Sequence, residues 1–417
     1  MHERQTTDHM IRPGTAMDGT SIAMPEGFLF GAATSPHQVE GSNVNSDWWA
    51  YEHAPSGPIN ELSGPACDSY HHWREDMRLL ADAGFNAYRF GIEWARIEPK
   101  PGVFDEAEIA HYGEMIDGAR GMGLSALVTL HHFTLPLWFA RQGGWTSSHA
   151  TEHFLQYISA VMPILKHGVT GIVTINEPNM VAILGRVTSG EVSFSDMEPG
   201  VLPDPDPSVA LALKKAHHAA ADMLHRELPG VAVGWSVANQ CVQALHGGEE
   251  RARAYSQSIE DQFILAAEHD DFIGIQSYTR TVFGADGKRV QPRSEDLTSN
   301  GWEYYPQAVG GAIEHTHALI PQVPLLVTEN GISTHDDEQR ISYTQGALQS
   351  ISSLLVQGLL VRGYFHWSLL DNYEWGSWEP TFGLASVDRS SPDFTRIAKP
   401  SLAWLGNWAK LQRMPCR

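Results

Sequence analysis

The sequence predicts an α/β fold that forms a single (β/α)8 barrel. Eight segments rich in apolar and β-branched residues recur at intervals of roughly 40 to 60 residues, and amphipathic helical segments lie between them. No Pro/Gly/Ser-rich linker and no change of composition divides the 417 residues. Eight strand–helix units in one undivided chain are the number that closes a parallel barrel. A doubly wound open sheet is the alternative, but no glycine fingerprint follows the first strand.

The predicted strands are uncharged or nearly uncharged runs, which is typical of parallel strands covered on both faces. They are Phe28–Thr34, Phe85–Ile92, Ala126–His132, Gly171–Asn176, Val231–Val237, Phe272–Ser277, Leu325–Glu329 and Gly363–Ser368. Helical periodicity predicts the intervening elements. These are Trp73–Gly84, Glu106–Met122, His149–His167, Pro207–Leu228, Glu249–His269 and Glu338–Gln357.

The two ends of the chain set the predicted domain boundaries. Residues 1–24 are polar and show no periodicity, so we expect a flexible leader without the apolar core of a secretory signal. The barrel is expected over residues 25–412. Three widely spaced cysteines do not form a disulfide framework, which favours a reducing cytoplasm.

The charge balance excludes two classes of partner. Forty-nine acidic residues against 28 basic ones give a net charge of −21, and no basic cluster offsets it, so nucleic-acid binding is not expected. No apolar stretch approaches the roughly 20 residues that span a bilayer. A membrane partner is not expected either.

Two glutamates end two of the predicted strands in the same way. Glu177 follows the run Gly171–Asn176, and Glu329 ends the run Leu325–Glu329, 152 positions later. A carboxylate at the end of a buried strand is costly unless a site requires it, and barrel active sites lie at the C-terminal strand ends. Paired carboxylates in different environments are what cleavage of a glycosidic bond needs. Two structural salt bridges are the alternative.

Several further motifs, in a fixed order, carry a resemblance to a known family. They read FLFGAATSPHQVEG, YRFGIEWARIEP, TLHHFTLP, TINEP, GWEYYP, VTENG and HWSLLDNYEW. From Phe28 to about Trp408, the chain resembles glycoside hydrolase family 1, the retaining β-glycosidases. The resemblance implies that Glu177 is the acid/base, that Glu329 is the nucleophile, and that Arg89 and Tyr278 contact the nucleophile.

The same resemblance implies a set of sugar-binding residues. Hydroxyl-binding positions are occupied by Gln38, His132, Asn176 and Glu374, and the sugar-lining tryptophans by Trp367 and Trp375. Asn176 is the expected partner of the 2-hydroxyl. Trp302 and Asn239 are further candidates on the aglycone side. The charge of Glu374 is expected to repel a 6-phosphate, which predicts an unphosphorylated sugar.

Three short segments depart from the family pattern. The departing residues are Phe133-Thr134, Gln276-Ser277 and Thr381. We expect them to alter specificity and rate without touching the two glutamates.

The resulting hypothesis is a cytoplasmic retaining β-glycosidase that acts on terminal glucose, galactose or fucose of a small β-glycoside or oligosaccharide. No cofactor is expected, and no metal, because none of the pairs His71-His72, His131-His132 and His217-His218 has a ligand spacing. An oligomer is possible but not indicated. The alternatives are an enzyme that mainly transfers sugar to other acceptors and a non-catalytic sugar-binding protein.

Overall fold

A closed barrel of eight parallel strands forms the centre of the molecule. The computed structural model describes residues 21–55, 57, 59–188, 191–192, 198 and 200–416. The barrel strands are β1 (Leu29–Ala33), β2 (Ala87–Gly91), β3 (Ser125–Thr129), β4 (Gly171–Asn176), β5 (Ala232–Ala238), β6 (Phe272–Gln276), β7 (Leu325–Asn330) and β8 (Val361–Trp367). Each strand pairs with the next along the chain, and β8 closes the ring by pairing with β1. The predicted barrel is confirmed.

Helices alternate with the strands and cover the outside of the barrel. The major ones are α1 (Ser69–Ala83), α2 (Glu106–Gly121), α3 (Ala150–Leu165), α4 (Pro207–Glu227), α5 (Glu249–Ser256, continued by the π-helical turn Gln257–Asp261, then Gln262–Ile264 and Leu265–Ala267), α6 (Ala308–Leu319), α7 (Asp337–Val356) and α8 (Pro400–Leu411). Shorter helical segments are Pro36–Val39, Asp47–Glu52, Trp94–Ile97, Leu137–Arg141, Gly144–Thr146, Pro178–Thr188 and Ser294–Asp296. The sequence did not predict α6, because Gly310 and Gly311 lower its helix propensity. No helix in the described parts of the chain has both the length and the apolarity for a membrane crossing.

The end of β3 differs from its prediction. The strand ends at Thr129, whereas the apolar run predicted it to continue to His132. Phe133 has a φ of 65°, so the chain turns over the top of the barrel at this point. The two residues before it, His131 and His132, therefore lie beyond the C-terminal end of β3 and are not part of the strand.

A short antiparallel pair joins the two ends of the described chain. Ser21–Ala23 pairs with Arg413–Pro415, and Ile22 and Met414 in this pair are fully buried. The folded part of the chain therefore extends beyond the predicted limits of 25 and 412 on both sides. Each of the two three-residue strands makes its backbone hydrogen bonds with the other. The remainder of the predicted leader, residues 1–20, lies outside the described residues.

A layer of apolar side chains fills the barrel beneath the C-terminal strand ends. It consists of Ala33, Ala87, Leu127, Val173, Phe272, Leu326 and Phe365. Strands β5 and β6 approach closely at Gly234, where a Cβ atom would lie 2.0 Å from the carbonyl oxygen of Phe272. The barrel is thus a packed core, and this layer forms the floor on which the polar site rests.

Candidate active site

The two predicted glutamates lie at the C-terminal end of the barrel and line one cavity. Glu329 is in β7, and Glu177 comes directly after β4. Glu177 has a φ of 46°, and its N–H donates to the carbonyl oxygen of Ser236 at 2.7 Å. This left-handed residue ends the strand and lets the helix Pro178–Thr188 begin at once, so the acid stands at the junction of strand and helix.

The Glu329 carboxylate accepts three hydrogen bonds from protein donors. Arg89 Nη1 and Gln276 Nε2 donate to its Oε1 at 2.5 and 2.8 Å, and the Tyr278 hydroxyl donates to its Oε2 at 2.5 Å. Arg89 is fully buried in β2, so its cation acts in a low-dielectric environment. This arrangement stabilises the ionised form of Glu329, as the roles expected for Arg89 and Tyr278 require.

The environment of Glu177 is different. Within the described chain, no protein donor makes a hydrogen bond to its side chain. Burial, the charge of Glu329 and the charge of Glu374 raise the pKa of Glu177 well above its ordinary value, and Arg89 opposes the shift. Burial raises the pKa of Glu329 as well, but the Arg89 cation and the Tyr278 hydroxyl lower it. Glu329 is therefore the carboxyl that ionises first.

Asn176 is held beside the pair by groups that also hold Glu329. Its Oδ1 accepts from Arg89 Nη2 at 2.6 Å and from Gln276 Nε2 at 2.8 Å. Its Nδ2 lies 3.3 Å from His132 Nε2. Burial and the Arg89 charge lower the pKa of His132 well below its ordinary value, so the imidazole is neutral. A neutral His and an oriented amide at one wall of the cavity are suited to hydroxyl groups.

Gln38 lies on the cavity wall, but its amide is largely committed to the protein. Its Nε2 donates to Asn372 Oδ1 and to the carbonyl oxygen of Tyr373, both at 2.9 Å. Its Oε1 accepts from the Ser35 hydroxyl at 2.7 Å. These three contacts leave the second lone pair of Oε1 as the acceptor that Gln38 can offer to a ligand.

Glu374 and the two tryptophans form the adjoining part of the lining, where the Trp367 ring stacks with that of His132, 6.0 Å from centroid to centroid. Trp367 Nε1 donates to Glu374 Oε1 at 3.2 Å, and Trp375 stacks on His37 with ring centroids 5.6 Å apart. Burial raises the pKa of Glu374 to about 8, which favours its protonated form at neutral pH. The sequence argument treated Glu374 as charged, because the burial of this carboxyl could not be predicted from the sequence.

Gln276 is a site residue that sequence reasoning missed. The expectation that the departures from the family pattern leave the glutamates untouched is wrong, since Gln276 Nε2 contacts both Glu329 and Asn176. The available signal was its place at the last position of β6. In the β6–β7 register Gln276 lies opposite Glu329, and parallel neighbours at one level present their side chains to the same site.

The remaining candidates separate into cavity and structural positions. Trp302 lines the cavity and lies 5.5 Å from the Tyr278 ring, centroid to centroid. Asn239 is not among the lining residues, and its Oδ1 accepts from the Gln276 N–H at 3.4 Å. Arg89 and Asn176 are not among the lining residues and are almost fully buried, but Arg89 donates to Glu329, and Gln276 donates to both Asn176 and Glu329.

The cavity has a volume of about 1050 Å³, and much of its lining is apolar. Phe133 and Phe382 contribute to it, as do Met180, Val181 and Leu184 from the helix that follows Glu177. The sequence analysis did not single out Met180, Val181 or Leu184.

Comparison with known proteins identifies this arrangement. The model of the family "Glycosyl hydrolase family 1" matches residues 20–269 and 249–414. The chain belongs to glycosyl hydrolase family 1.

Relatives of this family 1 hydrolase align over nearly its whole length. The crystal structure of beta-glycosidase BGL167 superposes with a TM-score of 0.85 at 38% identity and covers 93% of this chain and 97% of its own. Beta-glucosidase A of Thermotoga maritima is 28% identical over 93% of this chain and 97% of that protein. A bifunctional beta-D-glucosidase/beta-D-fucosidase of Bifidobacterium breve is 27% identical over 92% and 97%. This family 1 protein is an O-glycosyl hydrolase.

One group of side chains in this family 1 hydrolase has the spacing of metal ligands. Among the described residues, Glu260, Asp261 and His315 bring ligand atoms within 4.8 Å of one another. They lie on α5 and α6, outside the cavity lining, and His315 Nε2 already pairs with Asp261 Oδ1 at 2.7 Å. His315 and Asp261 form an ion pair between the outer helices, and this group has no contact with the cavity that Glu177 and Glu329 line.

Proposed function

We propose that the protein is a retaining β-glycosidase that removes terminal β-D-glucosyl residues, and also galactosyl and fucosyl residues, from small glycosides. The observation that carries the proposal is the asymmetry of the two carboxyls. Glu329 accepts three hydrogen bonds, one of them from a buried cation, whereas Glu177 accepts none from described residues and has a strongly raised pKa. One ionised and one protonated carboxyl at the same pH are what double displacement requires.

In the first step Glu329 attacks the anomeric carbon, and the proton of Glu177 passes to the glycosidic oxygen. The alcohol leaves, and the sugar is held as a covalent ester on Glu329. Arg89 and Tyr278 hold the attacking carboxylate in one orientation, which lowers the entropic part of the barrier.

In the second step the roles reverse. Esterification removes the Glu329 charge that raised the pKa of Glu177, so Glu177 can remain ionised and accept a proton from water. The water attacks the anomeric carbon from the face that the alcohol left, and Glu329 is released. Two inversions give net retention.

The groups around the glycone are compatible with several related sugars. Asn176 lies beside His132, and Glu374 lies beside Trp367, whose ring stacks with that of His132. A protonated Glu374 both donates and accepts, so it can bind an equatorial or an axial hydroxyl. The two activities in the name of the Bifidobacterium breve relative support tolerance of glucosyl and fucosyl groups.

A cytoplasmic location is part of the proposal. Its support is that Cys67, Cys241 and Cys416 are all free thiols, and two of them are buried. Free thiols are compatible with a reducing compartment.

The test is covalent labelling with a 2-deoxy-2-fluoro-β-glucoside that carries a good leaving group. We expect a mass increase of one fluorosugar on the peptide that contains Glu329, and no increase in Glu329→Gln. Proton NMR of the wild-type reaction should show the β-anomer of the released sugar first. A label on Glu177, or the α-anomer as the first product, contradicts the mechanism.

A further inference from the structure

The active-site cavity is larger than one sugar needs, and its far part differs chemically from the glycone walls. Its volume of about 1050 Å³ is at the upper end of the range for sites that enclose a whole drug-sized ligand, which is roughly 300 to 1,000 Å³. The polar residues that suit a glycone are concentrated around Glu177 and Glu329. The remaining space therefore receives the group on the other side of the glycosidic oxygen.

One face of the helix Pro178–Thr188 lines this space. Met180, Val181, Leu184 and Val187 follow one another at helical spacing, and all four line the cavity. All four are partly exposed, although they are apolar. Because the helix starts directly after the acid/base Glu177, this face begins where the leaving group departs.

Further apolar side chains line the same cavity. They are Phe133, Leu135, Ala140 and Trp145. Leu135 is 8% exposed and Trp145 is 4% exposed, so both are backed by packed core. We call the part of the cavity that is lined by these four side chains and by the helix Pro178–Thr188 the apolar chamber.

Several polar groups that line the apolar chamber are already engaged within the protein, whereas the buried Nε1 of Trp145 has no hydrogen-bond partner among the described residues. Asp47 Oδ1 accepts from the N–H groups of Trp48 and Leu135, both at 2.8 Å. Thr134 donates to Glu93 at 2.8 Å, and Thr146 donates to the carbonyl oxygen of Gly143 at 2.7 Å. A second sugar ring needs several hydrogen-bond partners for its hydroxyl groups. Transferring those hydroxyl groups from water into a site without such partners costs free energy.

The charged residues at the rim are committed in the same way. Asp206 Oδ1 accepts from the N–H groups of Ser208 and Val209 at the start of α4. Arg186 pairs with Glu191. A ligand in the apolar chamber thus gains mainly from burial of apolar surface.

We propose that the apolar chamber binds a hydrophobic aglycone, so that the preferred substrates are β-glycosides of long-chain or aromatic alcohols rather than oligosaccharides. This inference rests on the proposed β-glycosidase function. The leaving alcohol takes the proton from Glu177 and remains in the chamber until water replaces it.

The test measures kcat/KM for methyl, butyl, hexyl and octyl β-glucosides and for cellobiose, below the micelle concentration of the octyl compound. The alcohols have similar basicity, so chain length changes binding and not leaving-group reactivity. We expect kcat/KM to rise about two- to fourfold for each added methylene, as burial of a CH2 group predicts, and octyl glucoside to exceed cellobiose.

A variant locates the effect. Leu184→Asn should reduce the octyl-to-methyl ratio of kcat/KM by at least tenfold. The matched control Leu211→Asn, at a 52% exposed position of α4 outside the cavity, should keep the wild-type ratio. The chain-length series with the wild-type enzyme does not depend on the variant. The proposal can therefore be tested even if the Leu184→Asn protein fails to fold.

The outcomes separate the two proposals. Suppose that the wild-type enzyme hydrolyses p-nitrophenyl β-glucoside and yet shows no dependence of kcat/KM on chain length, or prefers cellobiose. Either result contradicts the proposed aglycone preference and leaves the β-glycosidase function standing. An enzyme that turns over none of these compounds overturns the proposed function itself.

Discussion

The side-chain amide of Gln276 joins Glu329 to Asn176, with its Nε2 atom 2.8 Å from an oxygen of each. One donor therefore links the proposed nucleophile to the residue proposed to bind the 2-hydroxyl. Arg89 also joins these two residues, because its Nη1 donates to Glu329 and its Nη2 donates to Asn176. The position of the nucleophile and the position of the sugar are thus set by shared groups.

Removal of this amide should disturb the ionisation of Glu329. Gln276→Leu deletes a donor to a buried carboxylate, so the pKa of Glu329 should rise and the acidic limb of the kcat/KM profile should move to higher pH. A hydrogen bond to a charged group contributes about 1.5–3 kcal/mol, so we expect kcat/KM to fall roughly 10- to 150-fold at the pH optimum.

Two control variants separate positioning from packing. Gln276→Asn keeps an amide and should restore part of the rate and of the acidic limb. Gln322→Leu, at an exposed position, should match the wild type. A Gln276→Leu enzyme with reduced activity but an unshifted acidic limb would show that the amide only fills space.

Glu177→Gln should lose activity in proportion to the basicity of the leaving group. The neutral amide cannot donate the proton that alkyl and sugar leaving groups need, whereas dinitrophenolate leaves without one. Alkyl glucosides and cellobiose should lose roughly 10²- to 10⁴-fold in kcat/KM, and dinitrophenyl glucoside should keep much of its glycosylation rate.

Azide provides a second readout of Glu177→Gln. Azide needs no general base, so it should accelerate turnover of the dinitrophenyl substrate and give the β-glycosyl azide. Formation of the α-azide would mean a single inversion and would contradict the assignment of both glutamates.

The basic limb of the pH profile should respond to Glu374. Activity falls as pH rises through the raised pKa of Glu177, because the proton donor is then lost. Ionised Glu374 contributes to that raised pKa, and its own pKa is about 8, so its charge is present in the range of the basic limb. Glu374→Gln removes this charge and should move the basic limb to lower pH.

The readout for Glu374→Gln is the pH at which kcat/KM is half its maximum, which is independent of the absolute rate. Glu379→Gln, at an exposed position, is the matched control and should keep the wild-type limb. A basic limb that moves to higher pH in Glu374→Gln would contradict the electrostatic link between Glu374 and Glu177.

A 6-phosphorylated β-glucoside should be a poor substrate. Among the described residues that line the cavity, Arg186 is the cationic side chain, and it pairs with Glu191, whereas Glu177, Glu329 and Glu374 all face the glycone. A phosphate dianion would gain no counter-ion there and would disfavour ionisation of Glu329. We expect kcat/KM for p-nitrophenyl β-glucoside to exceed that for its 6-phosphate at least 100-fold, and a preference for the phosphate would contradict this account of the cavity.

The barrel could be predicted because its evidence is local. A run such as Gly171–Asn176 is uncharged, β-branched and halted by a proline, and the strand has those bounds in the structure. The meeting of Glu177 and Glu329 in one cavity could be predicted because an acid at the end of such a run is conspicuous. The contacts of Gln276 and the protonation of Glu374 could not, since they depend on register between strands and on the exclusion of water.

The pairing of Ser21–Ala23 with Arg413–Pro415 has a consequence for biosynthesis. The second segment is synthesised 392 positions after the first, when Arg413 becomes able to bind Ser21. Chains grow from the N-terminal end at about 5–20 residues per second, so the first segment waits roughly tens of seconds for its partner. Ile22 therefore lacks its partner strand throughout that interval, and the pair can form only after all eight barrel strands have been synthesised.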